Sequence, residues 1–334
     1  MRRVQGQDFN EVPILDLSGL HCGRMAGRDA LVRTLRGYLQ RIGFLYVSGH
    51  GIRAESVAAV RAANRRFHAL PLEEKLKIKL DRNFRGYIPI NSTTIVTSSV
   101  GTVRKPNQSE SLMIMHEVAA DDPAAIAGEP LQGPNQWPDE ALLPGFRATI
   151  ETYVQQMTDV ARMIAGLIAD ALGVPMDLLM RYFARPTTFL RLLHYPTQHE
   201  EEGLFGSAPH TDYGFITLLA QDDVGGLEVR NKAGTWVPVP PLADSFVMNV
   251  GDILARWSND RFVSTPHRVI NRSGRERYSQ SFFFDPAMSA AIAVFPACVP
   301  GGEEAKYAPV VYGEYLMERI DKNYQARTVA AGGA

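Results

Sequence analysis

The chain has 334 residues, 45% of them hydrophobic, and its 35 basic and 36 acidic side chains leave a formal net charge of -1. This length is ample for a large core, and the nearly neutral charge excludes a general attraction to nucleic acid or to an anionic membrane. The two cysteines, Cys22 and Cys298, have no CxxC spacing. Their number and spacing argue against a disulfide scaffold, a zinc ribbon or a dithiol redox site, and favour a reducing cytoplasm.

No run of residues approaches the roughly 20 apolar positions that a membrane-spanning helix needs. The first stretch, MRRVQGQDFNEVP, is polar and lacks the apolar core of a signal peptide. We therefore expect a protein that is not exported and that binds neither nucleic acid nor a membrane.

The first half of the chain predicts helices between short strands. The apolar segments VPILDLSGL and IGFLYVSGHGI end in turns or glycines, which is typical of strands. Apolar residues recur at helical spacing from Gly27 to Gln40, from Ala54 to Leu70 and from Gly145 to Gly173, and Gly166 predicts a break in the last of these helices. The stretch from Phe84 to Met115 is rich in loops, and long loops in a compact domain are commonly functional.

From about Thr187 the pattern changes to short strands divided by turns, which predicts an all-β barrel or sandwich: TFLRLLHYP, FITLLAQ, GLEVR, TWVPVP, DSFVMNV, HRVINR and RYSQSFFFDP. A last helix is predicted from Gly313 to Tyr324. Together these elements predict an α+β fold in one integrated domain. Its expected parts are a mixed N-terminal region (1–130), a long helical support (131–185), a β core (186–290), and a C-terminal strand, helix and tail (291–334).

The stretch APHTDYGFITLL places His210 and Asp212 two residues apart at the predicted start of an apolar strand. Residues i and i+2 of a strand point to the same face, so both side chains are expected to share one direction. The His-x-Asp motif alone is weak evidence, because about one His-x-acid triplet is expected by chance in a chain of this composition. A comparable run, His199-Glu200-Glu201, lies in a polar loop where nothing fixes the side chains.

His267, in STPHRVIN, is the best candidate for a third ligand, because it also begins a predicted strand directly after a proline. Two histidines and one carboxylate leave three metal positions open, which is the arrangement associated with non-haem iron(II) oxygenases. A structural zinc site would instead fill four positions, preferably with thiolates. The sequence therefore favours a reactive metal centre.

A polar pair follows in the segment RERYSQSFFFDP. Strand alternation puts Arg277, Ser279 and Phe283 on one face. A guanidinium that faces a barrel core needs an anionic partner, and the neighbouring sequence supplies none. A ligand carboxylate held by Arg277 and Ser279 is therefore the simplest interpretation; the alternative is an exposed edge strand with Arg277 in solvent.

HTDYG, His267 in TPHRV, and Arg277-Tyr278-Ser279 resemble the His-x-Asp…His triad and the Arg-x-Ser pair of the isopenicillin N synthase-like iron(II)/2-oxoglutarate-dependent oxygenases. The similarity covers most of the chain, because the following segments stand in the order typical of that family: VPILDLS, GFLYVSGHGI, FHALPLEEKLKI, RGYIPI, LRLLHYP, GGLEV, NVGDIL and YAPVVYGEYL. The resemblance implies a jelly-roll barrel, the double-stranded β-helix, flanked by helices. It also implies an enzyme that converts 2-oxoglutarate and O2 to succinate and CO2 while it oxidises, by default hydroxylates, a C–H bond of a small organic molecule.

The resemblance also implies roles for individual residues. Iron(II) would be held by His210, Asp212 and His267. The distal carboxylate of 2-oxoglutarate would be bound by Arg277 and Ser279, and Tyr195 would contact the same cosubstrate.

The chain departs from the commoner plant-type pattern at Leu193, where an asparagine usually stands. Arg191 is on the same predicted face as Leu193 and Tyr195, and it is our candidate for the iron-proximal carboxylate of the cosubstrate, with a packing or substrate role as the alternative. The run HTDYG…AQDDVGGLEV is especially similar to the bacterial ethylene-forming enzymes of this family, which also have an arginine at this position.

Four further residues are candidates for the substrate pocket. Phe283 shares the predicted face of Arg277, and Met113 and Met115 form one alternating pair, for which core packing is an equal alternative. Arg85 lies in the loop-rich stretch and would meet an anionic substrate, unless it is simply solvated. The loops between Arg82 and Met115 and the last helix are expected to shape this pocket.

The sequence leaves two other functions open. One is an oxidase of the same fold that binds its substrate directly to iron and does not use 2-oxoglutarate. The other is a non-catalytic barrel that binds a metabolite. The presence of all five key side chains favours the enzyme; neither the substrate nor the oligomeric state is predicted.

Overall fold

The computed structural model describes residues 8–21, 27–198, 201–301 and 303–323. Its strands are β1 (Ile14–Asp16), β2 (Phe44–Ser48), β3 (Gly86–Ile88), β4 (Glu110–Met115), β5 (Thr187–Tyr195), β6 (Ser207–His210), β7 (Ile216–Gln221), β8 (Leu227–Arg230), β9 (Trp236–Pro238), β10 (Ser245–Val250), β11 (His267–Val269), β12 (Arg277–Asp285), β13 (Ala291–Ile292) and β14 (Val310–Val311). Its helices are α1 (Ser18–His21), α2 (Arg28–Arg41), α3 (Ala54–His68), α4 (Leu72–Leu76), α5 (Pro123–Ile126), α6 (Phe146–Leu172), α7 (Met176–Arg181), α8 (Asp252–Trp257) and α9 (Tyr312–Asn323).

Two sheets form the β core. The larger sheet has the strand order β1-β2-β10-β7-β12-β5-β4-β3, and the smaller one has the order β6-β11-β8-β9. Neighbouring strands are antiparallel except β1 and β2. Side chains of both sheets meet in one apolar cluster that includes Phe44, Leu193, Val229, Val247 and Val269. The arrangement is a double-stranded β-helix, which confirms the predicted α+β class and jelly-roll core.

The central strands of the larger sheet are buried on both faces, and the two faces differ in chemistry. On β12, Phe282 and Phe284 join the large outer core, whereas Arg277 and Ser279 point to the inside of the barrel. On β7, Leu218 belongs to the outer core in the same way. The period of two in a strand therefore separates a packing face from a chemical face.

The outer core is covered by helices, of which α6 is the longest. It packs against α2 and α3 on one side and against β7 and β12 on the other. Gly145 and Gly173 flank it in left-handed conformations, with φ of 71° and 74°, which glycine adopts without strain. The predicted break at Gly166 is wrong: the helix is continuous there, and the absent side chain leaves room for Cε of Met176, which would lie 3.1 Å from a Cβ atom at that position.

The structure adds four short helices that the sequence pattern did not predict: α1, α5, α7 and α8. The segment after β10 forms α8, which places Trp257 fully inside the core beside Phe183 and Phe295. At the other end, α9 is described as far as Asn323, so Tyr324, its predicted end, lies outside the described residues. Cys298 is a free buried cysteine, and Cys22 lies outside the described residues. None of the helices in the described ranges combines the length and apolar character needed to cross a bilayer.

The packing face of β7 gives a stability prediction. Leu218 is 0% exposed, and Leu72, at the start of α4, is 56% exposed. We expect Leu218→Ala to lower the free energy of unfolding by about 2–5 kcal/mol, because it removes buried methyl groups and leaves a cavity. The matched change Leu72→Ala should alter it by no more than about 0.5 kcal/mol. Chemical denaturation measures both, and equal losses would contradict the assignment of Leu218 to the core.

Candidate metal centre and active site

Three side chains converge where the two sheets meet. Nε2 of His210 lies 3.7 Å from Oδ1 of Asp212, and Nε2 of His267 lies 3.8 Å from the same oxygen. One potential ligand atom from each residue lies within 4.8 Å of the other two. In the part of the chain that the structure describes, no other group of histidine, cysteine and acidic side chains has this geometry.

Both histidines are oriented by backbone carbonyl groups. Nδ1 of His210 is 2.7 Å from the carbonyl oxygen of Ala208, and Nδ1 of His267 is 3.3 Å from that of Thr265. A proton on Nδ1 donates to these carbonyls, which leaves the lone pair of each Nε2 directed toward Asp212. The histidines are also a cross-strand pair of β6 and β11, with ring centroids 4.2 Å apart.

The two oxygens of Asp212 have different surroundings. Oδ2 accepts hydrogen bonds from Oγ1 of Thr217 at 2.5 Å and from Nδ2 of Asn249 at 2.6 Å. Thr217 and Asn249 lie on neighbouring strands, β7 and β10, where they are a cross-strand pair. Because these donors hold Oδ2, Oδ1 is the oxygen that faces the histidines.

The electrostatics favour the ligand forms of these groups. Burial, together with the nearby charge of His267, lowers the pKa of His210 to about 4, so its imidazole is neutral near pH 7. Burial acts to raise the pKa of Asp212, but the two histidines and the hydrogen bonds from Thr217 and Asn249 outweigh it, and the net shift of this pKa is downward. A neutral imidazole and a carboxylate are the states that bind a metal. Two such nitrogens and one oxygen suit a divalent transition metal such as iron(II).

The sequence pattern predicted that His210 and Asp212 lie on one strand, and this prediction is wrong. His210 is the last residue of β6, and Asp212 lies in the turn before β7. The two strands belong to different sheets, so the chain must turn between them. The two side chains still meet, because pairing with β11 fixes His210 while Thr217 and Asn249 fix Asp212. His199 and Glu200, of the competing acidic run, lie outside the described residues.

Arg277 is fully buried, at 0% exposure. Its Nε donates to the carbonyl oxygen of Gly225 at 2.6 Å, and its two terminal nitrogens lie 3.3 Å from Oγ of Ser279 and 3.3 Å from Oε1 of Gln221. Cζ lies 4.6 Å from the centroid of the Tyr195 ring. All of these contacts are neutral, and a buried guanidinium without a counter-ion is costly. The surroundings of Arg277 therefore fit an anionic ligand, and the solvated edge strand considered as an alternative is wrong.

A cavity adjoins the histidines and Asp212. Its apolar wall consists of Phe84, Ile95, Met113, Phe189, Phe283, Leu316 and Ile320, and its polar wall includes Thr93, Asn107, Arg191, Ser207, Thr211, Tyr213, Asp285 and Asn323. The loop-rich stretch and α9 both contribute, as predicted. Nδ2 of Asn323 joins these parts, because it donates to Oγ1 of Thr97 at 2.8 Å and to the hydroxyl of Tyr213 at 2.5 Å.

Some of the residues predicted to bind the cosubstrate or the substrate line this cavity, and others do not. Arg191 lines it and donates from Nε to Oγ of Ser111 at 2.9 Å, and Phe283 and Met113 also line it. Leu193 and Tyr195 lie deeper, in the apolar cluster between the sheets.

Arg85 and Met115 are not brought to the cavity. Arg85 is 0% exposed, and its guanidinium donates to the backbone carbonyls of Asn83, Leu131 and His116. These hydrogen bonds connect separate loops, so Arg85 has a structural role and does not contact a substrate in the cavity. Met115 is at the end of β4, where it packs in the outer core.

The residues that support the proposed ligands, and one further acidic residue of the cavity, were not predicted from the sequence. Thr217, Gln221 and Asn249 are polar residues inside otherwise apolar strands, and Asp285 continues the inward row of Arg277 by further steps of two along β12. In each case the alternation of residues along the strand indicates that the polar side chain faces the inside of the barrel. Nothing local in the sequence shows which ligand each polar residue supports.

Models of two families match the chain. The 2OG-Fe(II) oxygenase superfamily matches residues 179–286, and the N-terminal region of non-haem dioxygenases in morphine synthesis matches residues 12–140. A relative from Emericella nidulans, the 2-oxoglutarate-Fe(II) type oxidoreductase hxnY, is 38% identical over 93% of this chain and 90% of its own. The chain belongs to the 2OG-Fe(II) oxygenase superfamily. This oxygenase is therefore an iron(II)- and 2-oxoglutarate-dependent enzyme, as the resemblance implied.

Other relatives of this oxygenase cover nearly all of its length. A homoarginine-6-hydroxylase of Oryza sativa subsp. japonica is 35% identical over 96% of this chain and 99% of its own. Among solved structures, a full-length Neurospora crassa protein in complex with alpha-KG and thymine superposes with a TM-score of 0.82, at 29% identity, over 93% of this chain and 96% of that chain.

The donors to Asp212 yield a prediction about metal affinity. We expect Thr217→Val in this oxygenase to weaken iron(II) binding by about 10- to 100-fold, because Oδ2 of Asp212 loses a donor and the carboxylate is less firmly oriented. Thr152→Val is the control, since this threonine is exposed on α6 and its hydroxyl donates to the carbonyl of Ala148. Metal titration measures both variants, and equal affinities would contradict the supporting role of Thr217.

Proposed function

We propose that His210, Asp212 and His267 hold the iron and that Arg277 and Ser279 bind the distal carboxylate of 2-oxoglutarate, with Tyr195 against the cosubstrate. Arg191 is then the cation for the carboxylate nearer the iron. The reaction is the hydroxylation of a C–H bond in a small organic molecule held beside Phe283 and Met113.

One observation carries this proposal. The buried guanidinium of Arg277, whose hydrogen-bond partners among the described residues are all neutral, lies inside the same barrel as three ligand atoms that converge within 4.8 Å. A metal alone would not require Arg277, and an anion alone would not require two histidines with directed Nε2 atoms. A dianionic cosubstrate together with a metal would use both groups, with its distal carboxylate held by Arg277.

When bound, iron(II) and 2-oxoglutarate supply the oxidising power: O2 and 2-oxoglutarate become succinate and CO2, and one oxygen atom is available for the substrate, R–H to R–OH. The chain itself binds and orients the reactants. Thr217 and Asn249 fix the Asp212 carboxylate, and the carbonyls behind His210 and His267 fix the imidazoles. The apolar wall and α9 limit the access of water to the substrate.

The substrate class rests on the cavity and on the relatives. The structural neighbour from Neurospora crassa was solved with thymine, and the rice relative is a homoarginine-6-hydroxylase; both descriptions specify small molecules. The mixed apolar and polar wall of the cavity supports a substrate of similar size. The cytoplasmic location expected from the cysteine content stays a prediction.

The main test measures the release of succinate from 2-oxoglutarate by the Fe(II)-loaded protein against a library of small molecules. We expect release that requires iron and increases with the correct substrate. His210→Ala should lose iron binding and with it this release, because one of three ligands is removed. The proposal fails if a hit is oxidised without consumption of 2-oxoglutarate, which would indicate the oxidase alternative, or if no iron-dependent consumption occurs.

A second test compares two neighbouring arginines. We expect Arg277→Lys to raise the KM for 2-oxoglutarate by about 10- to 100-fold, because a lysine cannot reproduce the two-pronged contact of a guanidinium with a carboxylate. Arg275→Lys is the matched control: the Arg275 side chain is 58% exposed, and it pairs with Asp223 on the surface. Steady-state kinetics with varied 2-oxoglutarate measures both. Similar KM values for the two variants would disprove the assignment of Arg277.

A further inference from the structure

A buried carboxyl group lines the cavity, and it lies at the other end of β12 from Arg277. Asp285 is the last residue of β12 and is 3% exposed. It lies eight residues beyond Arg277, so strand alternation gives both side chains the same inward row. Among the described residues, the side chain of Asp285 hydrogen-bonds to Phe215 and Tyr312, and not to the proposed metal ligands or to Arg277.

The fold makes specific room for this carboxyl group. Its Oδ1 accepts from the backbone N–H of Phe215 at 2.6 Å, and its Oδ2 accepts from the hydroxyl of Tyr312 at 2.7 Å. A Cβ atom at Gly214 would lie 1.7 Å from Oδ1, so a side chain at this position would displace the Asp285 carboxyl group. The turn after Asp212 and the start of α9 thus position Asp285 together.

The charge of Asp285 is left without a counter-ion. Its two partners are neutral donors, and in the described ranges no basic side chain pairs with it. Burial raises its pKa to about 7, as expected for a carboxyl group taken out of water without a cation. Each carboxylate oxygen accepts more than one hydrogen bond, so both retain acceptor capacity.

Apolar side chains line the same cavity as Asp285. Phe283 precedes it on the same row, and Phe189 meets Phe283 edge to face, with ring centroids 6.1 Å apart. From α9, Leu316 and Ile320 close the other side. A ligand in this part of the cavity can contact these apolar side chains and the carboxyl group of Asp285.

We propose that Asp285 is the specificity-determining residue for the substrate and that it accepts a hydrogen bond from an N–H group, so that the oxygenase acts on nitrogen-containing small molecules. This inference rests on the proposed function, because it assigns the substrate of that same site. The apolar wall takes the carbon skeleton of the substrate, and Asp285 takes its N–H end. The position of the substrate between Asp285 and the iron selects the C–H bond that reacts.

The test uses matched pairs of compounds on the protein loaded with Fe(II) and 2-oxoglutarate. The pairs are thymine with 1,3-dimethylthymine, indole with 1-methylindole, and homoarginine with norleucine, which lacks the guanidine. Calorimetry gives the dissociation constants, and succinate release gives the turnover. We expect the N–H member of at least one pair to bind about tenfold or more tightly, as for a hydrogen bond to a charged group. A preference in the homoarginine pair alone identifies a cationic substrate, and one in the thymine or indole pair identifies a neutral one.

Two variants locate the source of the preference. Asp285→Asn should reduce the affinity ratio of the preferred pair by about 10-fold or more, because the amide is uncharged and has a single acceptor oxygen. Asp177→Asn is the matched control: the Asp177 side chain is 75% exposed and pairs with Arg181 on the surface, so this variant should retain the ratio. A ratio within one sample does not depend on the fraction of protein that is folded, so a less stable variant still gives a clear result.

The outcomes separate the two proposals. If the wild type does not bind 2-oxoglutarate, the proposed function itself fails. If it binds 2-oxoglutarate but discriminates none of the pairs, or if Asp285→Asn keeps the wild-type ratio, the role of Asp285 is disproved while the proposed function stands.

Discussion

The position of the Asp212 carboxylate depends on the closure of the two sheets, and the metal centre depends on that carboxylate. Asp212 lies in the turn that leaves the smaller sheet, yet the donors to its Oδ2, Thr217 and Asn249, belong to the larger sheet. Its backbone carbonyl also accepts from the N–H of Asp252, at the start of α8. Only a closed barrel brings these groups together, so the geometry of the metal ligands is a property of the whole β core.

The same barrel holds two buried ionisable side chains of opposite type on one strand, and in the described ranges neither has a charged hydrogen-bond partner. Arg277 and Asp285 lie at the two ends of β12, on its inward row, and among the described residues each has neutral hydrogen-bonding neighbours only. Buried charges normally reduce stability unless they are paired. The outer face of the same strand offsets this, since Phe282 and Phe284 are fully buried against the helices. Stability and chemistry are thus carried by alternate residues of one strand.

Much of this site was predictable because its signals repeat with the period of a strand. His267 begins β11 directly after Pro266, and Arg277 and Ser279 share the inward face, as the alternation required. The pattern failed where it was applied across a turn. His210 and Asp212 were placed on one strand because the apolar run after them looked continuous, whereas the chain changes sheets between them. The prediction of Arg85 as a pocket residue was wrong for a different reason. Its partners are backbone carbonyls of distant loops, and the sequence near Arg85 gives no sign of them.

The sequence by itself indicated the fold class, the iron ligands that we propose and the arginine for the cosubstrate, because the strand period and short motifs that resemble those of the family carry these signals. It also determined that the long loop and the last helix shape the pocket. Only the tertiary structure decided which oxygen of Asp212 faces the histidines, that Arg277 has neutral neighbours within the described ranges, and that Asp285 enters the cavity. These features depend on contacts between residues far apart in the chain, and such contacts exist only after the two sheets have closed on each other.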